Sequence, residues 1–152
     1  MFSIGFTDEP LVDPEPGEEG LVGLLVLGEH KERFVSHLWT WSKEQYVDHW
    51  KRALNRVLGG SPAALITDMR TPVQSSHLIW WPMWRINAEI VLHNQLLFFA
   101  QHDVAGADLN LDTLYRLIGR RSSHNSEGAP ISEWSIAVSE VEIFLCTLGC
   151  YN

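Results

Sequence analysis

Tryptophan crowding limits this chain most. Trp39, Trp41 and Trp50 surround one strong helical pattern, and Trp80, Trp81 and Trp84 fall in one apolar run. Each indole buries a large area and carries an N–H that needs a partner once water is excluded. So many indoles in so short a stretch require either a dense core or an exposed aromatic platform. At 152 residues the chain has the usual size of one domain, and a chain of this length buries roughly 70% of its extended surface without staples.

The periodicities mix two types. Phe2–Thr7 reads as a short strand, and the Pro-, Glu- and Gly-rich stretch from Asp8 to Gly20 as a loop. Leu21–Leu27 and Arg33–Trp39, joined through Gly28–Glu32, read as a hairpin. Ser42 opens the clearest helix, with Gln45 three residues on completing a capping box. Tyr46, Val47, Trp50, Ala53, Leu54, Val57 and Leu58 then form one stripe, and Gly59-Gly60 followed by Ser61-Pro62 ends it.

Further strands are expected at Ala63–Met69, His77–Ile86, Glu89–Phe99 and Ile131–Val138, with Pro82 marking a bulge or a sheet edge. Arg70–Ser76, Gln101–Asp108 and Gly119–Pro130 read as loops, and Asp112 caps a helical turn through Leu114, Tyr115 and Ile118. Ser139 with Glu142 predicts a second capping box, opening a helix that buries Val141, Phe144, Leu145 and Leu148. The expected fold is α+β: one domain over residues 1–152, its antiparallel sheet packed on one central amphipathic helix, plus a short C-terminal helix. Tyr46 and Trp50 are expected to meet the strand tryptophans.

Charge is distributed unevenly around a net −8. Asp8, Glu9, Asp13, Glu15, Glu18, Glu19 and Glu29 fall in the first thirty residues, which hold no Lys or Arg. Asp103, Asp108 and Asp112 make the later stretch acidic again. Such a surface repels phosphate backbones and argues against direct nucleic-acid binding, while it suits a basic protein partner. The plainer reading is a charged loop that aids solubility. With no signal-peptide pattern at Met1–Ile4 and no uninterrupted apolar span, the expectation is a soluble cytoplasmic protein. Cys146 and Cys150 read as free thiols, Cys146 as a core thiol among Ile143, Phe144, Leu145 and Leu148.

Catalytic and metal templates find no match. The seven histidines never fall at HxH, HxxxH or HExxH spacing, and no glycine-rich phosphate loop or nucleophile elbow is present. No catalytic residue, metal site or cofactor is expected. Two other readings stay open: a small enzyme assembled from dispersed residues such as His77, His93 and Asp68, and a ligand- or peptide-binding module using exposed Trp80 or Trp84.

The run Phe34-Val35-Ser36-His37-Leu38-Trp39-Thr40-Trp41-Ser42-Lys43-Glu44-Gln45-Tyr46, with His49-Trp50-Lys51-Arg52-Ala53-Leu54, resembles the contact-dependent growth inhibition immunity proteins. So do Ser61-Pro62-Ala63-Ala64-Leu65-Ile66-Thr67-Asp68-Met69, Ile79-Trp80-Trp81-Pro82-Met83-Trp84-Arg85, Asn94-Gln95-Leu96-Leu97-Phe98 and Ile131-Ser132-Glu133-Trp134-Ser135-Ile136. The resemblance spans about Arg33 to Leu145 in order, and its motifs are structural rather than catalytic. It implies a cytoplasmic, non-enzymatic protein that neutralises the toxic C-terminal domain of an exported effector, often a nuclease, by occlusion. It transfers no toxin-contacting residue. The residues expected to meet a basic partner are therefore read from charge alone: Asp13, Glu15, Glu18 and Glu19, with Asp103, Asp108 and Asp112 as the competing set.

Overall fold

A computed structural model describes residues 1–69, 77–98, 111–125 and 127–149. Strands β1 (Phe2–Phe6), β2 (Gly20–Leu27) and β3 (His30–His37) are followed by helix α1 (Lys43–Leu58). Then come β4 (Ala63–Asp68), β5 (His77–Ile86), β6 (Glu89–Leu92), β7 (Gln95–Phe98), helix α2 (Leu111–Tyr115), β8 (Trp134–Ala137) and helix α3 (Val138–Gly149). The α+β class and the antiparallel pairing are as expected, but the strands divide into two sheets. One has the order β1-β2-β3; the other runs β4-β5-β6-β8, with β7 also pairing β5.

Local chemistry sets the turns. The β2–β3 register closes Leu27 onto His30, so the turn is Gly28-Glu29, and Gly28 takes φ +66, open to glycine without a Cβ penalty. Asn87 does the same work between β5 and β6 at φ +57. Helix α1 starts with the expected reciprocal cap: Gln45 N–H donates to Ser42 Oγ (3.2 Å) and Ser42 N–H to Gln45 Oε1 (2.8 Å). It buries Tyr46, His49, Trp50, Ala53, Leu54 and Val57.

Helix α1 also covers the outer edge of β4. A strand edge presents unpaired N–H and C=O groups. Here Ile66 N–H donates to His49 Nε2 (2.9 Å), and Ile66 C=O accepts from Trp50 Nε1 (2.8 Å). Tyr115 OH, from α2, serves the Ala64 carbonyl two residues away. At the Thr67 irregularity the end of β3 takes over: Ser36 Oγ donates to Thr67 O, and the His37 backbone N–H to Asp68 Oδ1. Side chains thus do the work of a missing strand beside β4.

Several expectations are corrected. Trp50 meets the rings of Phe6 (5.0 Å), Phe34 (5.8 Å) and Tyr46 (6.3 Å) rather than those of the β5 tryptophans, because α1 lies mainly along β4 and turns this ring toward the first sheet. Pro82 marks neither a bulge in its own strand nor a sheet edge. It sits mid-β5, paired with Ala64, where the strand on its other side is interrupted. The long strand expected over Glu89–Phe99 is accordingly two, β6 and β7, broken at His93-Asn94. Helix α3 begins at Val138, which places Ser139 and Glu142 inside it and removes the second capping box. Asp112 lies within the first turn of α2 rather than before it. Cys146 is on the exposed side of α3, not in the core. The loops expected at Arg70–Ser76 and Gln101–Asp108, and Cys150, lie outside the described residues.

The tryptophans are mostly core. Trp80 and Trp81 are buried, Trp81 with its ring 5.2 Å from that of Trp134. Trp84 is half-buried, and Trp39 is 40% exposed.

Candidate functional site

The acidic segment from Asp8 to Glu19 joins β1 to β2 and is pinned at both ends. Thr7 Oγ1 donates to Val22 O and accepts from Glu9 N–H (both 3.1 Å). Glu9 turns to β3 and grips Arg33 through both carboxylate oxygens, Nε to Oε2 at 2.9 Å and Nη2 to Oε1 at 3.0 Å. The Arg33 hydrogen bond holds the Glu9 carboxyl below its usual range. At the far end Leu38 N–H donates to Glu19 O (3.1 Å), tying the segment to the chain leaving β3.

Between these ties Val12, Asp13, Glu15 and Glu19 are exposed, with Val12 at 89%. Asp13 adopts φ +45, tolerable because a short polar side chain takes the left-handed region better than most. Glu18 behaves differently. Its backbone N–H closes a turn on Glu15 O (2.9 Å), and its half-buried carboxylate lies 3.9 Å from His37 Nε2.

His37 organises this end of the surface. Its Nδ1 lies 3.0 Å and 3.1 Å from the two carboxylate oxygens of buried Asp68, and its ring stacks on Trp39 at 4.7 Å and 25°. Glu18, Trp39 and the exposed acids therefore share a scaffold anchored in the core through Asp68. Sequence spacing carries no signal of this group: Glu18, His37 and Asp68 come from a loop, β3 and β4.

The competing set divides. Asp112 is exposed on α2, 3.5 Å from Arg56 Nη1 of α1, and Arg56 also lies over the Tyr115 ring at 5.0 Å. Its charge is thus met within the chain. Asp103 and Asp108 lie outside the described residues. The four N-terminal acids share one loop, and Asp112 belongs to a different element.

Neither alternative site assembles as expected. Asp68 is engaged by His37, and His93 by Glu133 at 2.8 Å, so two members of the trio His77, His93 and Asp68 are held in separate interactions. Among the described residues no group of three His, Cys, Asp or Glu side chains could hold a metal ion, and no helix is long and apolar enough to cross a membrane. Trp80 is unavailable as a platform because it is buried; Trp84 keeps partial exposure.

The family model of the CdiI N-terminal domain matches residues 36–144. Over 151 residues, 98% of this chain and 99% of the other, the sequence is 23% identical to Immunity protein CdiI of Enterobacter cloacae subsp. cloacae. The fold matches a chain of the CdiA-CT/CdiI toxin and immunity complex from Enterobacter cloacae, with a TM-score of 0.83, 22% identity and 99% of each chain covered. At that identity the structural likeness is one of fold.

Proposed function

The chain belongs to the CdiI N-terminal domain family, and from that premise we propose that it is a cytoplasmic immunity protein that neutralises a cognate toxin domain by binding, not by catalysis. The family match over residues 36–144 is the observation that carries this reading. The full-length similarity to an immunity protein supports it. The toxin is a basic domain, a nuclease in the favoured form, and the chain occludes its active site.

The exposed acids Asp13, Glu15 and Glu19, with Glu18 behind them, supply the complementary surface. Glu9 contributes less, since Arg33 already neutralises it. Opposite charge raises association rates toward roughly 10⁸ M⁻¹s⁻¹ at low salt. Protection needs almost no free toxin, so the affinity is expected at nanomolar or better, about −12 kcal/mol, across roughly 1,600 Å² of total buried surface.

The test takes the C-terminal domain of a large exported protein, sought among the genes beside this chain's own. Co-expression of the chain should restore growth, and the purified pair should form a stable complex that lacks toxin activity. A toxin that stays active with the chain in excess, or a pair that does not associate, overturns the proposal. A complex that forms while the toxin remains able to bind its substrate would replace occlusion with inhibition from a distance.

A further inference from the structure

The break between β6 and β7 falls opposite Pro82. In an antiparallel strand the N–H and C=O of one residue face the same neighbour, and proline has only the C=O. The Pro82 carbonyl accepts His93 N–H at 3.0 Å, and nothing can pair with the missing donor. At this break His93, Asn94 and Gln95 line an open cavity of about 200 Å³, faced by Trp84, Ile118 and Arg120.

The walls are fixed by bonds made elsewhere. Trp84 Nε1 donates to Gly119 O (2.9 Å), joining the aromatic wall to the facing segment. Trp80 Nε1 lies 2.9 Å from Gln95 Oε1. An indole nitrogen only donates, so the amide oxygen must face Trp80 and the Gln95 NH₂ is the end left over. His93 Nε2 is held by Glu133, which Arg121 grips through both carboxylate oxygens. The Arg121 hydrogen bond, more than that of His93, brings the Glu133 carboxyl down to about 2, so this support stays ionised at physiological pH.

Arg120 is the exception. No hydrogen bond or ion pair joins it to another of the described residues. The cavity lining therefore combines the Gln95 amide and the exposed residue Arg120 with an indole and an aliphatic wall. Guanidinium matches the geometry of a carboxylate and forms charge-assisted hydrogen bonds with it that are stronger than neutral ones. The chain's net charge of −8 repels anions at long range, so any anion held here is selected by local contacts.

We propose that this cavity is a binding site for a carboxylate carried on an aromatic or aliphatic body, with the anion on Arg120 and the Gln95 amide and the body against Trp84 and Ile118. The site is separate from the acidic loop and does not depend on the toxin reading. The carboxylate is that of a small acid or of an acidic side chain in a polypeptide, and the test separates the two.

Phenylacetate and acetyl-Phe-Asp-amide are each titrated into the ¹⁵N-labelled full chain, following the Trp84 indole N–H, with phenylacetamide and acetyl-Phe-Asn-amide as uncharged counterparts. At least one acid should give a saturable shift, with its counterpart about tenfold weaker, and Arg120→Gln should weaken the acid about tenfold. Saturation by phenylacetate assigns the site to small acids; saturation by the dipeptide alone assigns it to a polypeptide side chain. Absence of saturation with both acids, equal binding of the uncharged partners, or an unchanged affinity in Arg120→Gln overturns the proposal. Arg120 is exposed, and the spectrum of the variant itself reports whether it folds.

Discussion

The indole nitrogen of Trp50 lies 2.8 Å from the carbonyl oxygen of Ile66, and His49, one residue earlier on α1, receives the Ile66 N–H at 2.9 Å. Two consecutive helix residues thereby satisfy both backbone groups of one residue on the edge of β4. A buried edge left without partners would cost free energy at each orphaned group. The helix is thus tied to the second sheet by polar bonds and to the first by aromatic packing on Phe6 and Phe34.

Trp50→Ala removes the Ile66 carbonyl's partner together with the packing on Phe6 and Phe34, and should destabilise the domain by about 3–5 kcal/mol, a large share of the total available. Trp50→Phe keeps most of the ring packing but orphans the Ile66 carbonyl, for a smaller cost of about 1–3 kcal/mol. Denaturant unfolding of the two variants measures both effects. If Trp50→Phe matches wild type, the edge bond contributes nothing and the packing carries the whole effect.

His49 gives stability a pH dependence of definite sign. Burial lowers its pKa from 6.5 to about 3, partly opposed by the Ala64 backbone. Between these values the unfolded chain binds a proton that the folded chain excludes, so acid favours unfolding. The contribution of neutral His49 is complete above pH 6.5 and is lost progressively as pH falls toward 3. Unfolding free energy should drop between about pH 6.5 and 4.5, and His49→Gln should flatten that slope. An equal slope in the variant would place the titration on another group.

Gly23 faces Phe34 across the β2–β3 ladder, and a Cβ there would stand 2.2 Å from Phe34 Cζ. The ring cannot simply swing away, because its face is shared with Phe6 and Trp50. Gly23→Ala should therefore destabilise by about 1–3 kcal/mol, and Phe34→Leu in the same chain should recover part of the loss. Thermal unfolding of single and double variants checks the coupling.

Where a pattern is local, the sequence is a faithful guide. The Ser42–Gln45 cap and the full extent of β5 follow from residues within a few positions of each other. Most of the misreadings involve a partner distant in sequence; the hairpin turn, expected over Gly28–Glu32, is a local exception and closes as Gly28-Glu29. Proline at position 82 interrupts the strand across from it, not its own. Ser139 and Glu142 have capping-box spacing, yet Val138 N–H donates to Ala88 O and the helix starts earlier. His49 looks like a polar interruption of an apolar stripe until the edge of β4 supplies its donor. The acidic loop was visible as composition, whereas the Glu18–His37–Asp68 support beneath it needed three separate elements to meet.

The acidic loop should govern association with the toxin without governing folding. Asp13, Glu15 and Glu19 are exposed, and exposed charges contribute little to stability. Neutralising Asp13, Glu15, Glu18 and Glu19 together, as Asn or Gln, should leave the unfolding free energy within about 1 kcal/mol. Glu18 is made separately as well, because its carboxylate stands near buried His37. The association rate of the fourfold variant should fall by about tenfold at low salt and converge with wild type at high salt, with a smaller change in dissociation. Asp112→Asn serves as a comparison, since Asp112 already has Arg56 within 3.5 Å and its field is partly cancelled. The other arm neutralises Asp103 and Asp108 together with Asp112. Growth protection and binding rates are measured for every variant. Full protection and an unchanged rate in the N-terminal variant, with a slower rate in the other, would move the interface to the second stretch. Unchanged rates in both arms would remove electrostatic recognition and leave apolar contacts such as exposed Trp39 and Val12 to hold the partner.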